Sequence, residues 1–299
     1  MKWLAVVALV LSGCAHVQAE GVASEALPRG AAFWRGLKDS KFAVPAGVTR
    51  AEVLRDAVAL TDAADPSLRD DVGYGLVVQW VYRDANALTP AELETFTSAL
   101  MQRMQRRPSS VLGRSFSALS LSLVAAAEVK SARLSDATFA ALVEAACVEL
   151  ESEDDLRGHD ATRGWLHATA HTADLLKFLA RDSRLTADQQ ARMFKALRAR
   201  LERPESLSWG EDERLAMAVR SLVLRSDGVA DFEGWVAGLE PRWKALWNAP
   251  ALDRAEFQRL NSIKQVLRSL VVVLGAEEKP APAVEKLRGR LAEVVLTLM

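Results

Sequence analysis

The sequence predicts an all-α protein built from stacked antiparallel helix pairs, as in HEAT or armadillo superhelices. Ala, Leu, Glu and Arg, all strong helix formers, dominate the composition. Apolar residues recur at spacings of three and four, and runs with strand-like alternation are missing. Every second helix start recurs after roughly 40–50 residues, the period of helix-pair repeats. An α/α toroid and a compact bundle would use the same elements and stay open as alternatives.

Composition limits the classes of partner. The chain has 299 residues, of which 50% are hydrophobic, and its 38 basic and 39 acidic residues give a net charge of −1. Neither sign forms a long run, so we expect no nucleic-acid partner. After the N-terminus, no apolar stretch is long enough to span a bilayer without interruption. The length is sufficient for a sizeable core.

The N-terminus has the pattern of an export signal. A short apolar stretch follows Lys2 and ends in Leu11-Ser12-Gly13-Cys14. This resembles a bacterial lipoprotein signal peptide, in which residues 1–13 are removed and the thiol of Cys14 is acylated. Ala15, rather than Asp, follows the cysteine. In a Gram-negative cell this resembles the default sorting to the outer membrane, facing the periplasm, so the membrane is an expected partner through the lipid.

The rest of the chain divides into a tether and one domain. Residues 14–45 are predicted to hold the lipidated cysteine and a tether, because small residues, Gly and Pro are frequent there. Residues 46–299 are predicted to form a single helical domain, since no linker interrupts them. Cys147 lies in a helical pattern within it. With Cys14 acylated, we expect Cys147 to be a buried, inert thiol without a disulfide partner.

Capping residues mark the helix starts in order. Thr49 and Glu52 form a capping box, in which each side chain satisfies a free backbone N–H of the other residue. Asp65 precedes Pro66, and Thr89-Pro90-Ala91-Glu92 combines a capping box with proline at the first helical position. Further starts are predicted at Ser110, Ser135, Asp160, Thr186, Gly210, Asp231, Asp253 and Pro282.

Polar clusters lie in the first halves of every second helix. In a stack of pairs, the helices that begin near residues 66, 110, 161 and 210 belong to one layer, which is usually the concave one. We therefore expect their clusters to meet in one polar groove. The groove residues would be Arg69, Asp70, Arg114, Arg163, His167, His171, Asp174, Glu211 and Arg214.

The helix expected from Asp160 concentrates most of the chemistry. On a helix, Asp160, Arg163, His167, His171 and Asp174 share one stripe, whereas Trp165 lies on the far side and is predicted to be core. Two imidazoles at i and i+4, with a carboxylate one turn on, match the spacing of divalent-metal ligands.

Two catalytic possibilities follow from these residues. If His167, His171 and Asp174 hold a divalent metal, then Glu211 or Asp212 is the candidate base of a metal-dependent hydrolase. Position 168 is Ala, so the HExxH motif is absent. Ser115 would act as a nucleophile only if a base approached it from elsewhere in the fold.

Two non-catalytic alternatives remain open, so the sequence does not decide whether the protein is an enzyme. The histidines and Asp174 could form a structural polar network with residues of neighbouring helices. They could also line a ligand-binding groove. Because helical-repeat surfaces mostly bind peptides or proteins, the leading prediction is a binding or scaffold module with a protein or peptide partner.

Four segments carry a family resemblance. They are DPSLRDDVGYGLVVQWV, GRSFSALSLSLV, RGWLHATAHTADLL and GEDERLAMAV. In this order they resemble an uncharacterised bacterial family that is described only as a domain of unknown function, over roughly residues 50–275. The resemblance implies a helical fold and brings no activity, substrate or cofactor. It singles out His167, His171, Asp174, Glu211 and Arg214. Relatives are expected to be soluble, so the lipoprotein signal departs from the family.

Overall fold

The structure is a computed structural model that describes residues 27–107, 110–225 and 229–299, the last range with backbone alone for 229–231. In these ranges the protein is helical except for one short hairpin, which confirms the predicted all-α class. The lipoprotein signal and Cys14 lie outside the described residues.

The elements follow one another with short connections. The helices are α1 Gly30–Asp39, α2 Arg50–Ala57, α3 residues 67–83, α4 Pro90–Gln105, α5 Val111–Glu128, α6 Asp136–Ser152, α7 Ala168–Leu179, α8 Ala187–Leu201, α9 Glu211–Val223, α10 Val229–Ala237, α11 Leu239–Asn248, α12 Arg254–Gly275 and α13 Pro282–Thr297. The strands are β1 His159–Asp160 and β2 Gly164–Trp165. A 3₁₀ turn, Val58–Asp62, continues α2, and α3 consists of two π-helical stretches on either side of Gly75–Val77.

The helices form two layers. Helices α3, α5, α7, α9 and α12 pack side by side in chain order and form the inner layer, while α2, α4, α6 and α8 pack in order outside them. The outer helices α4, α6 and α8 also pack on the inner helices α5, α7 and α9, and α13 packs on α12. Among the described residues, the first and last inner helices, α3 and α12, share no extensive contact. The arrangement is therefore a stack of helix pairs and not a closed toroid.

Helix α5 lies at the centre of the stack. All of its residues except Leu119 are buried. Its mean hydropathy of 1.2 over 18 residues would suffice for a membrane span by length and composition, but 89% of that window is buried inside the protein. Among the described residues no other helix meets that criterion. Burial on all sides explains the apolar composition of α5, so it is a core helix of the stack.

The folded part begins earlier than the sequence predicts. Helix α1 lies inside the stretch assigned to the tether, and it packs against α3. Trp34 is completely buried, and its Nε1 donates a hydrogen bond of 2.8 Å to the carbonyl of Pro28. Large aromatic side chains contribute most of the burial energy in small interfaces, which explains why this short helix docks.

Most of the predicted caps form. The capping boxes at Thr49 and Thr89 are both complete, and a third joins Thr186 to Gln189. Ser110, Ser135 and Asp253 also accept hydrogen bonds from the first turns of their helices. Two starts differ: α10 begins at Val229 instead of Asp231, and no helix begins at Asp160.

Candidate functional site

The segment from residue 159 to 165 forms a β-hairpin instead of a helix. His159 pairs with Trp165, and Asp160 pairs with Gly164. One carboxylate oxygen of Asp160 accepts hydrogen bonds from the backbone N–H groups of Thr162 and Arg163, each at 2.9 Å. This side chain therefore satisfies backbone donors that a helix would have used, and Gly164 adopts φ +75°, which other residues rarely adopt. The predicted helical stripe is thus wrong for Asp160 and Arg163.

Arg163 completes the turn. Its guanidinium donates to the second carboxylate oxygen of Asp160 at 2.9 Å. These hydrogen bonds, that of the Arg163 side chain first, hold the pKa of Asp160 well below its usual range. The ion pair stays within the hairpin, so Arg163 contributes its backbone carbonyl, not its charge, to the rest of the site.

His167 joins the hairpin to α7. It is the N-cap residue of α7 and has a left-handed backbone, with φ 48°. The ring of Trp165 stacks on its imidazole, with 5.0 Å between ring centroids. Trp165 is 47% exposed, so the prediction that it belongs to the core is wrong. The reason is that Trp165 lies in a strand at the surface and not on a helix face.

The two imidazoles have different hydrogen-bond partners. His167 Nε2 lies 2.7 Å from the backbone oxygen of Trp209, and His171 Nδ1 lies 2.7 Å from Ser115 Oγ. A carbonyl oxygen only accepts, so His167 donates through Nε2. The Ser115 hydroxyl donates its one proton to the carbonyl of Leu166, so it accepts from His171 Nδ1–H.

Both imidazoles are neutral at pH 7. Burial lowers the pKa of His167, and it lowers the pKa of His171 to about 3, with His167 as the second cause. The two ring centroids are 5.8 Å apart. A neutral imidazole carries a proton on one nitrogen only. His167 carries it on Nε2 and His171 on Nδ1, so the lone pairs are on His167 Nδ1 and His171 Nε2.

The first turn of helix α9 lies next to His167 and Asp174. Arg214 donates to Asp174 at 2.9 Å, and Lys177 donates to the other oxygen of Asp174 at 2.6 Å. Buried Glu211 accepts the backbone N–H of Trp209 at 2.7 Å and interacts electrostatically with His167. The structure thus brings the two histidines, Asp174, Glu211 and Arg214 close to one another.

The metal hypothesis requires one shared centre for His167, His171 and Asp174. The described residues contain no group of three or more His, Cys, Asp or Glu side chains arranged to hold a metal ion. The imidazoles are hydrogen-bonded in different directions, and the carboxylate is neutralised by two cations. The predicted three-ligand set therefore does not form here. Asp212, a candidate base, accepts instead from Ser269 Oγ at 2.9 Å.

Ser115 has the base that the sequence could not supply, but the geometry opposes nucleophilic chemistry. Its hydroxyl proton is directed at the carbonyl of Leu166, and His171 is the donor in their hydrogen bond. A base must accept the nucleophile's proton. Ser115 is also only 1% exposed. The hydrogen bond between Ser115 and His171 therefore links α5 to α7.

Arg69 connects α3 to the hairpin. Its side chain is completely buried, and it donates to the backbone oxygens of Arg163 at 2.8 Å and of Ala63 at 3.2 Å. It also binds Asp70 at 2.8 Å and lies 4.3 Å from the centroid of the Phe116 ring. Arg69, paired with Asp70, thus holds the hairpin against α3.

Arg114 does not join the same cluster. Its guanidinium forms a bidentate ion pair with Glu153, at 2.7 and 2.8 Å, and lies 3.7 Å from Glu149. Burial raises the pKa of Glu149 to about 7, with Glu153 adding repulsion. Arg114 therefore faces the C-terminal end of α6 and pairs with acidic residues there.

A groove that contains two of the predicted groove residues lies between α7, α9 and α12, and we call it the inner-layer groove. It has a volume of about 620 Å³, and Asp174 and Arg214 line it together with Gln265 and Arg268 of α12. Gln265 Oε1 is buried and has no hydrogen-bond partner among the described residues. Every second helix predicted from the sequence is assigned to one layer, and the helix that begins at Asp253 is the next in this series. The same assignment therefore places α12 in the layer that forms the groove.

The fold and the site define a protein of stacked helix pairs whose inner layer carries a polar groove. The chain belongs to the family described as "Protein of unknown function (DUF2785)", whose model matches residues 100–272, more than half of the chain. The matched region runs from α4 into α12 and includes the hairpin and every residue of the inner-layer groove except Val273. The predicted resemblance to a family of unknown function is therefore confirmed. No curated protein matches the sequence.

Proposed function

We propose that this protein is a membrane-anchored lipoprotein that binds an extended segment of a partner protein in the inner-layer groove. The observation that carries the proposal is the buried, unpartnered amide oxygen of Gln265 in the wall of that groove. Buried polar atoms are nearly always hydrogen-bonded, so an unpaired acceptor on a side chain that lines the groove suits a donor from a ligand. A peptide backbone offers such a donor at every residue except proline.

The remaining groove residues fit the same ligand. Three basic and three acidic side chains line it, namely Lys177, Arg214, Arg268, Asp174, Asp212 and Glu213. Balanced charges favour a ligand with donors and acceptors of both kinds over a strongly charged one. Val272, which is 71% exposed, and Val273 add apolar surface for side chains of the partner. Stacked helical pairs commonly present such elongated surfaces to peptides.

Peptide selection tests the groove. A library of random linear peptides displayed on phage is selected against the wild-type protein, and one selected synthetic peptide is titrated. Gln265→Leu and Arg268→Ala are each expected to weaken its binding about tenfold, because each removes a polar partner. The control is Arg254→Ala at the exposed start of α12. Failure to select any peptide, or equal binding by all variants, would contradict the proposal.

The membrane anchor rests on the sequence. Acylation of Cys14 would hold the protein at the outer membrane, facing the periplasm. Cells grown with labelled palmitate are expected to label the wild type and Cys147→Ser, but not Cys14→Ser, since Cys147 is the only other cysteine. Membrane fractionation should place Cys14→Ser outside the membrane fraction. Equal labelling of Cys14→Ser would refute the anchor and leave the groove unaffected.

A further inference from the structure

Two tryptophans lie side by side on the surface. Trp165 is 47% exposed and Trp209 is 45% exposed, and their ring centroids are 6.4 Å apart at an interplanar angle of 84°. His159 and His167 contact Trp165 at 5.2 and 5.0 Å. We call these four residues the aromatic corner. Exposed clusters of large apolar rings are costly in water and commonly mark binding sites.

The backbone is shaped to hold this corner. Gly158 lies directly against the Trp209 ring, and a Cβ atom at this position would overlap the indole. Gly164 and His167 both have a left-handed backbone, and they flank Trp165 in the hairpin and at its exit. Positions of this kind cluster at ligand-binding sites because they fix side chains in advance of binding. The corner is therefore preorganised.

An open cleft of about 800 Å³ adjoins the corner. Trp209 and His159 line it, together with the polar residues Arg107, Arg114, Ser152, Glu153, Asp154, Asp155 and Arg157. Its three arginines face three carboxylates, and internal ion pairs such as Arg157–Asp155 and Arg114–Glu153 neutralise the charge. This balance disfavours a charged ligand, while the paired groups keep donor and acceptor capacity toward the cleft.

We propose that the aromatic corner and this cleft bind a neutral saccharide. The weakly positive C–H groups of a sugar ring would stack on the negative face of an indole. Its hydroxyls both donate and accept, so they match the mixed carboxylates, guanidinium and imidazole of the cleft. A peptide rich in proline also stacks on tryptophan, and it is the competing outcome of the test. The proposal does not rest on the peptide groove.

The direct test is titration of the folded protein with cellotriose, maltotriose and the trimer of N-acetylglucosamine. Calorimetry and tryptophan fluorescence should show that at least one binds with a Kd below about 1 mM. Trp165→Leu and Trp209→Leu keep apolar surface but remove the stacking ring, and each should weaken binding about tenfold. Trp247→Leu is the matched control, since Trp247 is 56% exposed and lies beside Trp243 and Phe257.

Gly158→Ala gives an independent test because it removes no group that could contact the sugar. The new Cβ should displace the Trp209 ring and reduce binding to the level of Trp209→Leu, with unchanged helicity by circular dichroism. Absence of binding by all three trisaccharides would overturn the proposal, as would binding by Trp165→Leu and Trp209→Leu that is as tight as that of the wild type. A proline-rich peptide that binds in a Trp165-dependent manner, when no sugar does, would assign the corner to peptides instead.

Discussion

His171 couples the stability of the fold to pH. In the folded state burial lowers its pKa to about 3, whereas an unfolded chain has a histidine pKa of about 6.5. Between these values the unfolded chain binds the proton and the folded protein does not. The free energy of unfolding therefore falls as the pH drops through this window, by up to about 1.4 kcal/mol per pH unit for one histidine. His167, with its lowered pKa, acts in the same direction.

Replacing His171 should weaken this dependence. His171→Gln keeps a side-chain N–H donor near Ser115 but cannot be protonated. Urea unfolding between about pH 7.5 and pH 5 should show a smaller loss of stability in the variant than in the wild type. We expect the variant to keep some dependence of stability on pH, because His167 also has a lowered pKa. Identical slopes in both proteins would mean that His171 is not buried as a neutral ring.

The reactivity of the Cys147 thiol gives a second test at the level of a single residue. Its side chain is fully buried in α6, and burial raises the pKa of its thiol to about 12. Only the thiolate reacts, so a Cys14→Ser protein should react with a thiol reagent at pH 8 very slowly when folded and rapidly in urea. Adding Cys147→Ala should abolish the signal. Rapid reaction of the folded protein would show that α6 opens easily.

The helix caps show how much of each element is visible in the sequence. Thr89 accepts the N–H of Glu92 at 3.2 Å, and the Glu92 carboxylate accepts from the N–H of Thr89 at 2.8 Å. Such local pairs depend on residues three apart in the chain, so the sequence predicts them directly. Trp165 and His167 could not be assigned in this way, because their environment is set by Trp209, more than 40 residues away.

Removal of the α4 cap should have a measurable cost. Thr89→Ala leaves the first N–H groups of the helix without this acceptor, so the free energy of unfolding should fall by about 1 kcal/mol. Thr95→Ala is the control within the same helix, since the Thr95 hydroxyl donates to the Ala91 carbonyl, which the helix already uses. Chemical denaturation should separate the two variants. Equal stabilities would show that tertiary packing alone holds α4.

The hairpin between α6 and α7 is an element that the sequence does not predict. Asp160 followed by a periodic segment predicts a helix start, but the same residue caps a turn instead. The sequence Asp160-Ala-Thr162-Arg163-Gly164 does contain the signal, because a glycine four residues after an aspartate is typical of a turn that closes with a left-handed residue. What no local pattern shows is that Arg69, from α3, binds the Arg163 carbonyl and supports the turn.

Burial is graded across the whole stack. Helix α5 is almost entirely buried, as are most residues of α7, whereas α13 buries only Val284, Leu287, Leu291 and Val294. In stacked repeats, stability is the sum of contacts between neighbours, so the terminal units have the fewest. The central inner helices should therefore open only on global unfolding.

Hydrogen exchange measures this gradient. The amides of α5 and α7 should exchange most slowly, and those of α11 and α13 at least about tenfold faster, because their opening does not require the centre to unfold. Mass spectrometry of peptides from each helix gives the comparison within one sample. Uniform protection along the chain would show instead that the stack unfolds as one cooperative unit.

The apolar character of α5 has a consequence before folding is complete. Its 18 residues are buried by packing against α3, α4 and α7. Helices α3 and α4 precede α5 in the chain, but α7 begins about forty residues after α5 ends. While the nascent chain is still being made, this stretch meets the hydropathy criterion for a membrane span, and the face that α7 covers in the folded protein has no partner yet. Covering of that face until α7 has been synthesised should therefore raise the yield of folded protein.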